Sequence, residues 1–132
     1  PPPEPISGED RSRVVLSVDD DPSVLHLYRR YLDGHGYHVW GLTDSSRTVD
    51  VAQQLQPCAI TLDVLMPEKD GWDVVRELKS DPRTMDIPII ICSIIGEEEQ
   101  GRGLGASDYL VKPIMEEDLL AALDRLDGES DQ

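Results

Sequence analysis

Short apolar segments alternate with amphipathic segments along most of the chain. Runs rich in β-branched and other apolar residues predict strands, and these lie at Arg13–Val18, Tyr37–Leu42, Cys58–Leu62, Ile87–Ser93 and Ser107–Val111. Segments with apolar residues at helical spacing predict helices, and these lie at Ser23–Asp33, Ser45–Leu55, Gly71–Ser80, Glu97–Gly103 and Glu116–Leu126. The chain is therefore predicted to contain five successive strand–helix pairs.

This alternation predicts a parallel sheet with helices on both faces, because right-handed crossovers place a helix between consecutive parallel strands. The strands that begin near Val14, Ala59 and Ile89 are apolar throughout, which is typical of central strands covered on both sides. The strands that begin at Tyr37 and Ser107 are more mixed and suit the edges of the sheet. The predicted fold class is α/β, with a doubly wound five-stranded parallel sheet.

Composition narrows the architecture and the class of partner. A chain of 132 residues with 39% apolar and 30% charged residues suits one globular domain. We place this domain at residues 13–127, between a Pro-rich linker or tail at 1–12 and a polar tail at 128–132. Twelve basic and 27 acidic residues give a net charge of −15, which disfavours direct nucleic-acid binding and favours metal ions and basic protein surfaces.

The sequence also bears on cellular location. The longest apolar run, Ile87–Ile95, is interrupted by Pro88 and Ser93 and is too short to cross a bilayer. The start of the chain lacks the pattern of a secretory signal. Cys58 and Cys92 match neither a disulfide framework nor a metal motif. We therefore expect a cytoplasmic protein without membrane attachment.

Polar side chains follow four of the predicted strands. Asp19 and Asp20 follow the first strand, Asp63 follows the third, Ser93 ends the fourth and Lys112 follows the fifth. Any one of these acids could simply cap a helix, but the carboxyl ends of parallel strands meet at one edge of a sheet. Clustered carboxylates repel one another, and either raised pKa values or a bound hard cation such as Mg²⁺ relieves this repulsion. The lysine and the serine hydroxyl suit a phosphoryl group.

The ordered set of motifs resembles the receiver domains of two-component response regulators. The motifs are Val18-Asp19-Asp20, Asp63, Met66-Pro67-x-x-Asp70-Gly71-Trp72, Ser93 and Asp108-Tyr109-Leu110-x-Lys112-Pro113. The resemblance covers approximately Arg13 to Leu126. It implies the flavodoxin-like strand order 2-1-3-4-5 and a signalling role, not an enzyme. It also implies a histidine kinase or histidine phosphotransfer protein as partner, and it leaves a homodimer open.

The resemblance assigns a role to each residue of the set. Asp63 corresponds to the phosphoacceptor, which takes a phosphoryl group from a partner's phosphohistidine. Asp20, Asp63 and the backbone carbonyl of Leu65 would bind Mg²⁺ directly, and Asp19 would act mainly through a metal-bound water.

The remaining residues would respond to the phosphoryl group. By the same resemblance, Lys112 and Ser93 would contact its oxygens, Tyr109 would be the aromatic switch, and the Lys112–Pro113 bond would be cis. The Pro-rich start of the chain suits the C-terminal receiver of a hybrid sensor kinase, and a free-standing receiver is equally compatible.

The sequence departs from the family pattern in three respects. Ile94 stands where a small residue usually leaves room for the phosphoryl group, so we expect it to narrow access to Asp63. Leu65 and Ile95 stand at positions that tune dephosphorylation, and neither can orient a water, which predicts a long-lived aspartyl phosphate. Ile114 replaces the Phe that commonly follows Lys-Pro, and it weakens the case for an output dimer through the last strand.

Two other functions remain open on the sequence alone. Asp19-x-Asp21 after a strand also occurs in haloacid-dehalogenase-like phosphatases, although Ser23 is unusual there and the chain has no room for a cap domain. A pseudo-receiver that binds partners without being phosphorylated is the other alternative, and Ile94 is its only support. The position of the modified aspartate distinguishes these functions.

Overall fold

The described part of the chain forms alternating strands and helices. The computed structural model describes residues 13–64, 71–94 and 105–130, the last four without their side chains. The strands are β1 (Val14–Val18), β2 (His38–Leu42), β3 (Ala59–Leu62), β4 (Ile89–Ser93) and β5 (Asp108–Val111). The helices are α1 (Pro22–Asp33), α2 (Thr48–Leu55), α3 (Gly71–Ser80) and α4 (Glu116–Ser130).

The described strands form one parallel sheet in the order β2-β1-β3-β4-β5. Every residue of β1, β3 and β4 is buried, while most residues of β2 and β5 are partly or fully exposed. The predicted sheet, its strand order and its edge strands are thus confirmed.

Helices cover both faces of the sheet because successive strand side chains point to opposite sides. On one face α1 and α4 pack through apolar residues against β1, β3 and β4; examples are Tyr28, Leu32, Leu119 and Leu123 against Val15, Ala59 and Ile90. On the other face α2 and α3 supply Val51, Leu55, Trp72 and Leu78, which pack against Leu16, Ile60 and Ile91. The central strands, which the candidate acidic residues follow, are therefore held in a two-sided core.

The ends of the helices follow local capping chemistry. Asp21 caps α1, where its side chain accepts a hydrogen bond from the Ser23 amide at 2.9 Å and Pro22 is the first helical residue. The sequence predicts a single helix from Ser45, but residues Ser45–Arg47 form a 3₁₀ turn and α2 begins at Thr48. Asp44 caps that turn through the Ser46 amide at 3.0 Å, and the Thr48 hydroxyl donates to the Ser45 carbonyl at 2.8 Å.

Two further differences concern the second half of the chain. The last helix is predicted to end at Leu126, but its backbone continues to Ser130 beyond the end of the apolar pattern. The helix predicted over Glu97–Gly103 lies outside the described residues, as do Leu65 and Ile95. Among the helices that are described, none combines the length and the apolar character needed to span a membrane.

Candidate functional site

Three aspartates come together at the carboxyl edge of the sheet. Asp19 and Asp20 follow β1, Asp63 follows the adjacent β3, and Val18 pairs with Leu62 at the ends of these strands. The Asp63 amide donates to the Val18 carbonyl at 3.0 Å, which extends the pairing to the site itself. One carboxylate oxygen from each aspartate lies within 4.8 Å of the others. The structure thus brings together the acids that the sequence predicted to meet.

The three acids differ in their exposure to solvent. Asp19 is 1% exposed and Asp63 is 6% exposed, while Asp20 is open to solvent. One oxygen of Asp19 accepts from the Asp21 amide at 2.9 Å at the start of α1. The buried acids are therefore fixed by the fold, and Asp20 stands at the mouth of the site.

Lys112 lies in the turn after β5 and spans two of the acids. Its backbone amide donates to the Ser93 carbonyl at 2.8 Å, which holds the turn beside the end of β4. Its Nζ atom donates to Asp19 Oδ2 at 2.7 Å and to Asp63 Oδ2 at 3.0 Å. The Lys112–Pro113 peptide bond is cis, as the family resemblance implies.

The surroundings shift the protonation of this group of charges. Burial raises the pKa of Asp19, and the hydrogen bonds from Lys112 and the Asp21 amide only partly oppose this. Burial acts to lower the pKa of Lys112, but its hydrogen bonds to Asp19 and Asp63 outweigh that effect, so the pKa lies above its ordinary value. Lys112 therefore carries its charge at neutral pH and offsets only part of the acidic cluster.

Ser93 and Tyr109 lie on the neighbouring strands β4 and β5. Ser93 is 1% exposed at the last position of β4 and is paired with Val111. Tyr109 is half-buried opposite Ile91 and packs against the core on the α2–α3 face. Both residues are thus within the same pair of strands that ends at Lys112. The Leu65 carbonyl lies in a segment that is not described, so its place at the site stays a prediction.

The side chain of Ile94 lines an apolar groove. Ile94 is 64% exposed. The groove has a volume of about 410 Å³ and is bordered by Val24 and Leu27 of α1 and by Pro113. Lys112 also borders this groove, so Ile94 stands beside the site. Its effect on access to Asp63 stays a prediction.

Two residues near the site were not singled out from the sequence as positioning groups. Gly71 donates its amide to the Val64 carbonyl at 3.2 Å, next to Asp63. The Tyr31 hydroxyl donates to the Ile114 carbonyl at 3.0 Å, two residues after Lys112. The Asp70-Gly71 pair was a visible signal for the first contact. A tyrosine in an amphipathic helix looks like an ordinary core residue, so no signal in the sequence indicated the second contact.

The donor set fits a small hard cation. All three side chains offer carboxylate oxygens, which are the ligands that Mg²⁺ prefers, and their spacing lets them share one ion. The exposure of Asp20 leaves space for the water ligands that Mg²⁺ usually keeps. The arrangement can therefore concentrate a divalent cation and a lysine ammonium beside a buried carboxylate.

The sequence is similar to known signalling proteins. Residues 15–124 match the family described as response regulator receiver domain. The chain is 37% identical over 121 residues to the DNA-binding dual master transcriptional regulator RpaA of Synechocystis, a match that covers 89% of this chain and 50% of RpaA. It is 34% identical over 112 residues to protein PilH of Pseudomonas aeruginosa, covering 83% of this chain and 93% of PilH. The chain thus spans about half the length of RpaA.

Solved structures agree with this similarity. The chemotaxis protein CheY4 of Vibrio cholerae superposes with a TM-score of 0.79 at 30% identity, covering 86% of this chain and 97% of CheY4. The receiver domain of sensor histidine kinase PA1611 from Pseudomonas aeruginosa, solved with a magnesium ion coordinated in its active site cleft, gives 0.80 at 28% identity and covers 88% and 98% of the two chains. The sequence match and the shared fold together establish that this chain belongs to the response regulator receiver domain family.

Proposed function

We propose that this domain is a Mg²⁺-dependent phosphoacceptor switch that takes a phosphoryl group on Asp63 from the phosphohistidine of a histidine kinase or histidine phosphotransfer protein. Receiver domains are signalling domains that interact with such partners. The observation that carries the proposal is the contact of Lys112 Nζ with both Asp19 and Asp63, at 2.7 and 3.0 Å, inside a cluster of three acids. This arrangement provides a nucleophile and a charge partner at one point.

Asp63 supplies the nucleophile. A carboxylate oxygen of Asp63 attacks the phosphorus atom, the bond between phosphorus and the donor's imidazole nitrogen breaks, and that nitrogen keeps the electron pair. No separate base is needed, because a carboxylate nucleophile has no proton to lose. Phosphoryl transfer depends mainly on positioning and on neutralising the equatorial oxygens. Lys112 Nζ already contacts Asp63 Oδ2 and can pair with a phosphoryl oxygen beside it.

The residues that would hold the cation are Asp20, Asp63 and the carbonyl of Leu65. Asp19 would act through a water, because each of its oxygens already accepts a hydrogen bond, from the Asp21 amide and from Lys112. When bound, Mg²⁺ would neutralise charge on the transferring phosphoryl group. Receiver domains generally bind Mg²⁺ at an acidic pocket, and the magnesium in the related PA1611 structure supports the same use of this one.

Ser93 and Tyr109 would convert phosphorylation into a change of surface. The Ser93 hydroxyl would donate to a phosphoryl oxygen and so move the end of β4. Because Ile91 pairs with Tyr109 and Ser93 pairs with Val111, a shift of β4 reaches β5 directly. The phosphorylated state would then favour an inward Tyr109 through contacts that differ between the two states.

Three expectations from the sequence belong to the same proposal. Leu65 and Ile95 carry no group that orients water, so the aspartyl phosphate would be lost slowly. Ile94 would narrow the approach of a phosphodonor from the side of the groove. Phosphotransfer would take place in the cytoplasm.

The test locates the phosphoryl group by mass spectrometry. Phosphoramidate is a suitable donor because it contains the phosphorus–nitrogen bond of phosphohistidine, and we expect it to add one phosphoryl group in the presence of Mg²⁺. Tandem spectra should place the group on Asp63, and both EDTA and the Asp63→Asn substitution should abolish it.

The control is Asp50→Asn, which removes an exposed acid from the first turn of α2 and should leave the reaction unchanged. Modification of Asp19 would instead support a phosphatase-like mechanism and overturn the proposal. Absence of any modification by phosphoramidate and by a phosphorylated histidine phosphotransfer protein would indicate a pseudo-receiver.

A further inference from the structure

Tyr31 connects α1 to the turn that carries Lys112. Its hydroxyl donates to the carbonyl oxygen of Ile114 at 3.0 Å, across 83 positions of sequence. Tyr31 is half-buried and packs against the core on the α1–α4 face, and Ile114 is only 4% exposed. The hydrogen bond is therefore shielded on one side, where a lost partner is costly.

The same two segments meet a second time at the acidic cluster. Lys112 Nζ donates to Asp19 at 2.7 Å, and Asp19 in turn accepts from the Asp21 amide at 2.9 Å at the start of α1. Tyr31 lies nine residues after Pro22, which is about 13 Å along a helix. Helix α1 is thus attached to the turn near its beginning through Asp19 and near its end through Tyr31.

An apolar groove lies beside these attachments. It has a volume of about 410 Å³ and is bordered by Val24 and Leu27 on the helix and by Pro113 on the turn. The Ile114 side chain packs in the core cluster that also contains Tyr28 and Leu32 of α1. Packing therefore places this side chain, and the Tyr31 hydroxyl adds a directional contact to the backbone carbonyl of the same residue.

Phosphoryl transfer would change the Lys112 side-chain contact and leave the Tyr31 contact in place. Lys112 now contacts one oxygen of Asp63 at 3.0 Å, and it would have to pair with a phosphoryl oxygen during transfer. The contacts within the turn would then keep its backbone in place; they are the Lys112 amide on the Ser93 carbonyl and Tyr31 on the Ile114 carbonyl.

We propose that Tyr31 is a positioning residue for phosphoryl transfer, whose hydroxyl holds the Lys112–Ile114 turn so that the lysine ammonium meets the phosphoryl oxygen. The inference rests on the proposed function of Asp63. Tyr31 touches none of the reacting atoms and acts only through the backbone of the turn.

The test uses Tyr31→Phe, which removes the hydroxyl and retains the ring. We expect the first-order rate of Asp63 phosphorylation at saturating phosphoramidate and Mg²⁺ to fall about fivefold, as suits the loss of one hydrogen bond. The Mg²⁺ dissociation constant should stay unchanged, because the three acids are untouched. The NMR amide signals of Lys112 and Ile114 should shift.

The matched control is Tyr37→Phe. Tyr37 is 4% exposed and belongs to the same core cluster. It precedes β2 and so lies at the amino ends of the strands, whereas the site lies at their carboxyl ends. Its variant should keep the wild-type rate at saturation.

The following outcomes decide whether Tyr31 has a positioning role. A fall in rate with unchanged Mg²⁺ affinity supports the positioning role. A Tyr31→Phe rate within about twofold of wild type, or a loss of rate matched by an equal loss of Mg²⁺ affinity, refutes it while leaving Asp63 as phosphoacceptor. A wild-type protein that takes no phosphoryl group refutes the proposed function and this inference with it.

Discussion

Asp19 and Asp20 are neighbours in sequence, yet their side chains lie in opposite surroundings. Asp19 is 1% exposed and accepts hydrogen bonds on both oxygens, while Asp20 faces solvent. Burial of an acid without full compensation raises its pKa, and this is the direction found for Asp19. Asp19 therefore organises Lys112 and the start of α1 at a cost in stability, and Asp20 is free to bind a cation.

The raised pKa of the buried Asp19 predicts that the stability of the metal-free protein depends on pH. The folded chain holds a proton on Asp19 at pH values above the ordinary pKa of 3.8. It therefore binds more protons than the unfolded chain between that value and the raised pKa. The free energy of unfolding must then fall as the pH rises from about 4 through the raised pKa. Urea unfolding in EDTA should show that the stability of wild type relative to Asp19→Asn declines over this range.

Above the raised pKa this relative stability should level off. If this relative stability instead increased with pH, the Lys112 contact would outweigh burial. That result would contradict a raised pKa for Asp19. The Asp33→Asn variant removes an exposed acid at the end of α1 and serves as the control.

At this scale the sequence predicted which residues meet but not how they meet. The grouping of Asp19, Asp20, Asp63 and Lys112 followed from their positions after parallel strands. The contact of one lysine with two acids depends on a turn whose path no local pattern encodes. The Tyr31–Ile114 hydrogen bond likewise joins segments 83 residues apart, so neither periodicity nor motif spacing indicates it.

Helix α3 begins against the segment that carries the phosphoacceptor. A Cβ atom on Gly71 would lie 2.2 Å from the Cα of Val64, the residue that follows Asp63. The Gly71 amide also donates to the Val64 carbonyl at 3.2 Å. A glycine is thus required here because two backbones approach closely, and the start of the helix supports the position of Asp63.

This close approach makes Gly71→Ala the substitution that best tests the contact between the start of α3 and Val64. We expect a loss of about 3 kcal/mol in the free energy of unfolding, because the clash is with backbone and cannot be relieved by a rotamer change. Urea denaturation measures this loss. The control is Gly34→Ala, whose Cβ would meet open space at an ordinary φ of −72°, and it should change stability by less than about 1 kcal/mol. A Gly71→Ala variant as stable as Gly34→Ala would contradict the geometry.

At the scale of elements the sequence was most informative about type and least informative about ends. Hydrophobic period and strand composition identified every described strand and α-helix, because each has one or two buried faces. The 3₁₀ turn at Ser45–Arg47 was missed because Asp44 and Thr48 cap it locally within an otherwise helical pattern. The extension of α4 to Ser130 was missed because exposed polar residues leave no periodic signal.

The site owes its place to the topology of the whole sheet. In the order β2-β1-β3-β4-β5, the chain leaves β1 toward one edge and later continues from β3 toward the other. Such a switch point opens a crevice at the carboxyl ends of the strands, and Asp19, Asp20 and Asp63 flank it. The alternation of elements predicted a parallel sheet but did not by itself fix the strand order, which the family resemblance supplied.

The net charge of −15 gives this crevice a setting that attracts cations. General attraction differs from a specific site, since it is weak and is screened by salt. A true site must saturate and must depend on particular acids. This distinction decides whether the acidic edge serves phosphoryl transfer.

A magnesium titration of the wild-type protein, followed through the NMR amide signals of Asp19 and Asp63 at constant ionic strength, is the most direct test. We predict one saturable transition, with affinity about tenfold or more weaker in Asp20→Asn and unchanged in Asp33→Asn, which alters the net charge equally. A linear, unsaturated response, or equal affinity in Asp20→Asn and wild type, would contradict a magnesium centre at Asp19, Asp20 and Asp63.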